Sequence, residues 1–419
     1  MLRLIRKTIF LTGCFVISAS ASFAQSPPVD INSPKVKRAL EFIRSIEPET
    51  IEEQIKTAEI PAPTFKEGNR AKYYKQRFTE LGLSNVRIDA VGNVIGERSG
   101  TDPSQTLVIA AHLDTVFPEG TDVKVRRNGN ILTGPGIGDD ARGLAVILAI
   151  VRALNEARIE TKGNMIFVAD VGEEGLGNLN GVGHIVKEEL KGKITHFIGL
   201  DASGYDIVNR EIGSNRYRVT FRGPGGHSYF EFGRPSAIHA LGRAIDKIAK
   251  LTVLKDPRTT YNVGKIEGGT TVNSIAQTAS MEVDLRSISA GELEKLDANF
   301  KKAVQRSLEE ENSSKTDAAR LTVEIQMIGQ RPVGLQAPDA PIVQAILAAD
   351  KALGITPNLT ASSTDSGMPM RFGIPAVTIG SGGKWQGMHS VGEIFDSTDS
   401  YLGTQRVLTA ILAIIGMKK

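Results

Sequence analysis

Cysteine is nearly missing from this 419-residue chain: there is one, Cys14. A single thiol excludes an internal disulfide framework and any zinc site built on several thiolates. Aromatic residues are scarce, at 5% with one tryptophan. The basic residues neither cluster nor alternate with aromatics, which excludes a nucleic-acid surface made of stacking platforms on a basic stripe. Charge of one sign is also lacking. The net value is +3, too small for strong steering of a charged partner. Beyond the N-terminus there is no apolar run long enough to span a bilayer, no internal repeat and no low-complexity tract.

The first residues read as an address rather than as part of a fold. "MLRLIRK" is cationic, "TIFLTGCFVISASA" is apolar, and Ser22 and Ala24 are small residues suited to cleavage before Gln25. This pattern predicts a secretory signal peptide over 1–24, cut after Ala24, and a secreted or periplasmic protein. "LTGC" also resembles a lipoprotein box, with Cys14 as the anchor. Only "TIF" separates that box from the basic region, which favours the simple signal.

The rest has ordinary globular composition, 41% apolar and 23% charged, and length enough for two domains. Helical patterns over 34–60 and 67–83 precede strands that alternate with helices, including "TLVIAAH", "GLAVILAIVRALNEARI", "NMIFVAD" and "HFIGLD". Such alternation predicts an α/β domain with a mostly parallel sheet. The pattern changes near residue 212, where alternating strands such as "NRYRVTFRG", "TTYNVGKIEGG", "ASMEVDLRS" and "RLTVEIQMIG" surround two amphipathic helices. The α/β pattern then resumes. A catalytic domain of 36–211 and 332–419, split by an α+β insertion over 212–331, is the expected organisation.

In open α/β sheets the functional crevice lies outside the carboxyl ends of the strands. "TLVIAA" ends at His112 and Asp114, which share a face because residues two apart on an extended chain point the same way. "MIFVAD" leads into Glu173 and Glu174, and "HFIGL" ends at Asp201. "GPGIGDDARG" places Asp139 and Asp140 before a helix, and "GKWQGMHSVGE" carries His389 in a Gly-rich loop. Each alone has an ordinary structural explanation. Together, carboxylates converging on one edge repel each other and raise each other's pKa. A pair of divalent cations removes that penalty, and imidazole with carboxylate suits zinc.

These motifs, "AHLDTV", "GPGIGDDARGLAVI", "VGEEGLG", "GLDAS", "GGHS", "DLRS" and "MHSVGE", stand in the order found in a known family. Over about 36–415 the chain resembles the dinuclear-zinc exopeptidases and amidohydrolases of the peptidase T, glutamate carboxypeptidase and aminoacylase type. The resemblance implies that His112 and Asp201 hold one zinc, Glu174 and His389 the second, and Asp139 bridges both. It implies Glu173 as general base and Asp114 as the group that hydrogen-bonds and orients His112. Asp140 is then a residue of the helix start. Cobalt or manganese would fit the same donors.

The resemblance further implies that His227 of "GPGGHS", presented by the same chain or by a partner subunit, stabilises the oxyanion. Asn273 in "TTVNSIA" and Arg286 in "EVDLRS" are the implied substrate-carboxylate or transition-state contacts, and a homodimer formed through the insertion is expected. "SSTDSG" and "GSGG" are expected to line the substrate pocket. The chain departs from the family at "DDARG", where many relatives carry lysine. Arg142 is the candidate replacement for that charge. His184, His196 and His239 lie away from the strand ends and read as structural. The expected activity is exopeptidase action on short peptides by a metal-bridged hydroxide. N-acyl-amino-acid deacylation is the alternative, and an inactive binding module of the same fold the remote one.

Overall fold

A computed structural model describes residues 29–316 and 318–418. The expected signal segment 1–24, with Cys14, lies outside the described residues. The main sheet has nine strands. Its centre is parallel: Gly163–Asp170, Asp102–His112, His196–Gly199 and Ala376–Ile379 lie side by side. Its flanks are antiparallel. Val94–Arg98 and then Ser84–Ile88 close one side, and Ile207–Glu211 with Gly334–Leu335 the other. Leu359–Ser362 also pairs with Ile207–Glu211.

The continuous apolar run of the central strand follows from burial on both faces. Leu107, Ile109, Ala111 and Leu113 pack with the helices Pro34–Ser45, Ala141–Glu156, Pro341–Ala352 and Tyr401–Ile415. Val108 and Ala110 face the other way, onto Val182, Ile185, Leu190 and Met368. This parity puts His112 and Asp114 on the second face.

Two hairpins complete the sheets. In "NVRIDAVGNVIGER", Asp89 Oδ1 accepts the N–H groups of Val91, Gly92 and Asn93 and turns the chain. The loop carrying His389 is the turn of a second hairpin, Lys384–Gln386 with Ile394–Asp396, which extends onto Ile131–Thr133 and Arg126–Asn128.

Between Gly213 and Arg331 the chain builds a second sheet, all antiparallel, in the order Thr259–Gly268, Thr278–Ser287, Gly213–Arg222, Thr322–Arg331. Tyr217, Val219 and Phe221 alternate with polar residues and meet Val283, Met281 and Ala279 across the ladder. The helices Ala237–Ala249 and Ala290–Ser313 cover that face, so this sheet has a core of its own.

Candidate metal centre

The site begins where the central strand ends. The His112 N–H donates to Asp140 Oδ2 at 3.0 Å, and His112 Nδ1 lies 3.0 Å from the carbonyl oxygen of Asp114. A carbonyl only accepts, so Nδ1 carries a proton and Nε2 is the ring nitrogen that could face a metal. Nε2 lies 2.9 Å from Asp139 Oδ1. The other oxygen of Asp139, Oδ2, lies 3.2 Å from His389 Nε2, which is also 3.0 Å from Glu174 Oε1. Asp139 therefore turns one oxygen to each histidine. Asp140, joined to Asp139 by a cis peptide bond, caps the helix Ala141–Glu156 by accepting from Gly143 N–H at 3.0 Å.

Among the described residues, three sets of candidate ligand atoms each lie within 4.8 Å of one another: His112, Asp139, Asp201; Asp139, Glu174, His389; and His112, Glu173, Glu174. The first two sets share Asp139. Burial and the neighbouring Asp139 raise Asp201 well above the usual carboxylate range. Burial likewise pushes Glu173 up to about 7, against the pull of Arg331. Asp139 is held low despite burial, because His112 and His389 face it. Hydrogen bonds to Asp139 and Glu174 in turn push His389 up to about 10. Such opposed shifts mark a cluster of buried acids short of positive charge. The donors are nitrogen and oxygen only, arranged around a shared carboxylate, so they fit a pair of divalent ions.

The protein-family model described as Peptidase family M20/M25/M40 matches residues 108–413. The chain belongs to this family. The protein YqjE of Bacillus subtilis (strain 168) is 28% identical over 346 residues, 79% of this chain and 90% of the relative. Succinyl-diaminopimelate desuccinylase of Corynebacterium glutamicum is 28% identical over 236 residues, 54% of this chain and 63% of that protein. Among solved structures, a tripeptidase from Staphylococcus aureus shares the fold with a TM-score of 0.72 at 22% identity, over 88% of this chain and 98% of that chain. A metal-dependent peptidase or amidohydrolase of the M20 family accounts for both the fold and the clustered ligands.

Within this M20 site, two residues make contacts that the sequence does not show. Asp114 faces His112 with two groups, and the backbone carbonyl is the nearer one. The carboxylate is 3.6 Å from Nδ1. It also accepts the N–H groups of Glu173 and Glu174 at 3.0 Å each and the Thr64 hydroxyl at 2.9 Å. Arg142 does not supply charge to the centre. It is fully buried and bonds Glu47 Oε1 at 2.9 Å, Ser381 O at 3.2 Å and Ser400 O at 2.8 Å. Position 142 is one residue into a helix, so its side chain turns toward the helix layer and away from the strand edge.

His227, Asn273 and Arg286 stand apart from the cluster. His227 is exposed, at the short bridge Gly226–His227 with Ser274–Ile275, and its ring packs on Phe230. Asn273 is exposed beside it and accepts the Ser228 N–H at 3.0 Å through its backbone carbonyl. Arg286 donates to Asp284 Oδ2 at 2.6 Å. Among the described residues no hydrogen bond joins these three side chains to the metal-site side chains. His184, His196 and His239 lie outside all three ligand sets.

Two residues that the sequence reading left unassigned shape the centre. Glu393 is buried, and its carboxylate accepts the N–H groups of Gly136, Gly138 and Asp139. It closes the same "MHSVGE" motif that carries His389, which is a signal the sequence did contain. Arg331 donates to Glu173 Oε1 at 2.8 Å from 158 residues away, and nothing local to it marks that role. The "SSTDSG" stretch is fixed from two sides. Ser363 accepts from Arg331, while Thr364 and Ser366 bond Glu211.

Proposed function

We propose that this chain is a zinc-dependent exopeptidase of short peptides. His112, Asp139 and Asp201 would hold one ion, and Asp139, Glu174 and His389 the other, with cobalt or manganese able to use the same donors. The observation that carries this reading is Asp139, whose two oxygens face two histidines in two overlapping ligand sets. Bound zinc would acidify a water and polarise the scissile carbonyl.

The chain's own residues do the rest. Glu173, whose carboxylate lies in a ligand set with His112 and Glu174, accepts the proton of the attacking water and returns it to the leaving nitrogen. Asp114 fixes the backbone of Glu173 and Glu174 through two accepted N–H groups. Asn273 and Arg286 bind the substrate's terminal carboxylate, for which the arginine fork is suited. His227 is exposed and belongs to none of the three ligand sets. That favours its donation to the oxyanion in a partner's site within a homodimer formed by the 212–331 insertion. The N-terminal pattern supports export, with the signal cut after Ala24. No helix among the described residues is long and apolar enough to cross a membrane.

A second reading, deacylation of N-acyl amino acids, is favoured by the 28% identity to the desuccinylase. Its mechanism is the same, and the leaving amine is then an amino acid. The deciding experiment is a panel of di- and tripeptides with matched N-acyl amino acids, given to the zinc-loaded chain and to Glu173→Ala. Peptide cleavage that Glu173→Ala abolishes with zinc retained supports the exopeptidase. Turnover of the N-acyl substrates alone selects the deacylase, and no turnover of either by a zinc-loaded dimer overturns both.

A further inference from the structure

Glu173 and Glu174 belong to a loop, 172–179, whose shape is imposed from outside. Gly172, Gly175, Asn178 and Leu179 all have left-handed φ, at 66°, 51°, 59° and 59°. For asparagine and above all leucine that conformation persists only where surroundings over-determine it. On the catalytic side, Asp114 accepts from Glu173 and Glu174, and Glu67 Oε1 accepts the Gly172 N–H at 3.2 Å.

The other grip comes from the inserted sheet. Strands Gly213–Arg222 and Thr322–Arg331 are neighbours, with Arg216 opposite Gly329 and Ser214 opposite Arg331. From this root Arg216 Nη1 donates to Gly175 O, and the Gln330 N–H donates to Asn178 Oδ1 at 2.8 Å. Arg331 holds Glu173 twice. Nη1 donates to Oε1 at 2.8 Å, and Nη2 donates to the backbone carbonyl of the same residue. Nη1 also reaches Ser363 O at 2.9 Å and Ser363 Oγ at 3.2 Å. Only 5% of Arg331 is exposed.

A planar guanidinium that bonds both the carboxylate and the main chain of one residue leaves that residue little freedom. Among the described residues no donor bonds Glu173 Oε2, so the free oxygen is the one able to take a proton. We propose that Arg331 is a positioning residue for Glu173, aiming its carboxylate and tying that aim to the seat of the inserted sheet. The catalytic consequence rests on Glu173 being the base; the structural one, that Arg331 sets the loop 172–179, does not.

The test compares zinc-loaded, full-length wild type with Arg331→Gln, Arg331→Lys and Arg331→Ala. Misaiming the base is expected to lower kcat on the order of 100-fold in the Gln and Ala variants, with KM within about threefold. Lysine restores part of the rate through its charge, and added guanidinium restores part of the Arg331→Ala rate. Bound metal per chain stays at the wild-type value. Hydrogen exchange rises for the amides of 172–179 and not for the strand Asp102–His112.

An unchanged kcat overturns the positioning role. So does a raised KM at unchanged kcat, which would make Arg331 a substrate contact. If wild type has no turnover that Glu173→Ala abolishes, the reading of Glu173 fails by itself. The exchange measurement then still decides: faster exchange confined to 172–179 upholds the structural claim, and unchanged exchange ends it.

Discussion

Glu393 accepts the backbone N–H of Asp139 at 3.0 Å across 254 residues of sequence. The same carboxylate takes the N–H groups of Gly138 at 2.7 Å and Gly136 at 3.3 Å. The shared carboxylate of the proposed metal pair thus sits on a turn that converges on one buried acceptor, and that acceptor follows His389 by four residues. Partners behind metal ligands commonly carry 10–100-fold in affinity or activity. Glu393→Ala is expected to weaken zinc binding by about that factor, measured by calorimetric titration of the metal-free chain. Wild-type affinity would refute this.

His389 is the most exposed of the proposed ligands, with 52% of its side chain accessible, and its backbone is in the left-handed region at φ 63°. Its removal leaves the set of His112, Asp139 and Asp201 intact. His389→Ala is therefore expected to hold one zinc per chain where wild type holds two, with an unchanged circular-dichroism spectrum. Metal analysis after desalting decides this, and two ions retained in the variant would exclude His389 as a ligand.

Arg142 and Glu47 form a buried pair with 0% and 9% side-chain exposure. Removing one partner of such a pair leaves a buried charge uncompensated, at about 3–5 kcal/mol. Arg142→Ala is expected to lose stability of that order in urea unfolding while keeping its metal stoichiometry. A variant of normal stability with altered metal binding would instead place Arg142 at the centre.

Glu211 is buried among Thr364 and Ser366. Burial pushes its carboxyl up to about 7 from an ordinary 4.5, outweighing the hydrogen bonds from Ser366 and Thr364 that pull it down. The folded state then binds the proton more tightly than the unfolded chain. This contribution to stability is complete below pH 4.5 and is lost as pH rises to about 7. It amounts to on the order of 3 kcal/mol. Unfolding free energies of the zinc-loaded protein between pH 4.5 and 7.5 are expected to fall more for wild type than for Glu211→Gln. Parallel curves would show that Glu211 does not titrate in this window.

The candidate ligand edge was readable in the sequence where its members sit at the end of a short, local pattern. A buried strand shows as an apolar run whatever surrounds it, and its last residue must emerge at the sheet edge. His112 after "TLVIAA" and Glu173–Glu174 after "MIFVAD" follow from that. Asp140 is similarly local, since a helix start needs an acceptor for its free N–H groups and Gly143 is three residues away.

Other features depended on distance in sequence and became visible only in the fold. The direction of a side chain one residue into a helix is set by the helix's packing, which is why Arg142 meets Glu47 and not the metal centre. A carboxylate bonds whichever donors reach it first, so Asp114 also holds the Glu173–Glu174 backbone, with its own carbonyl the nearer group to His112. Arg331 ends one more alternating strand in sequence. Its meeting with Glu173 arises because the second sheet begins and ends beside the strands of the main sheet, bringing its root to the loop 172–179. The sequence by itself determined which chemistry the chain carries, since ligand types and strand ends are local properties. The tertiary structure decided which groups hold that chemistry in place, since long-range hydrogen bonds form only where the packed chain brings donor and acceptor together.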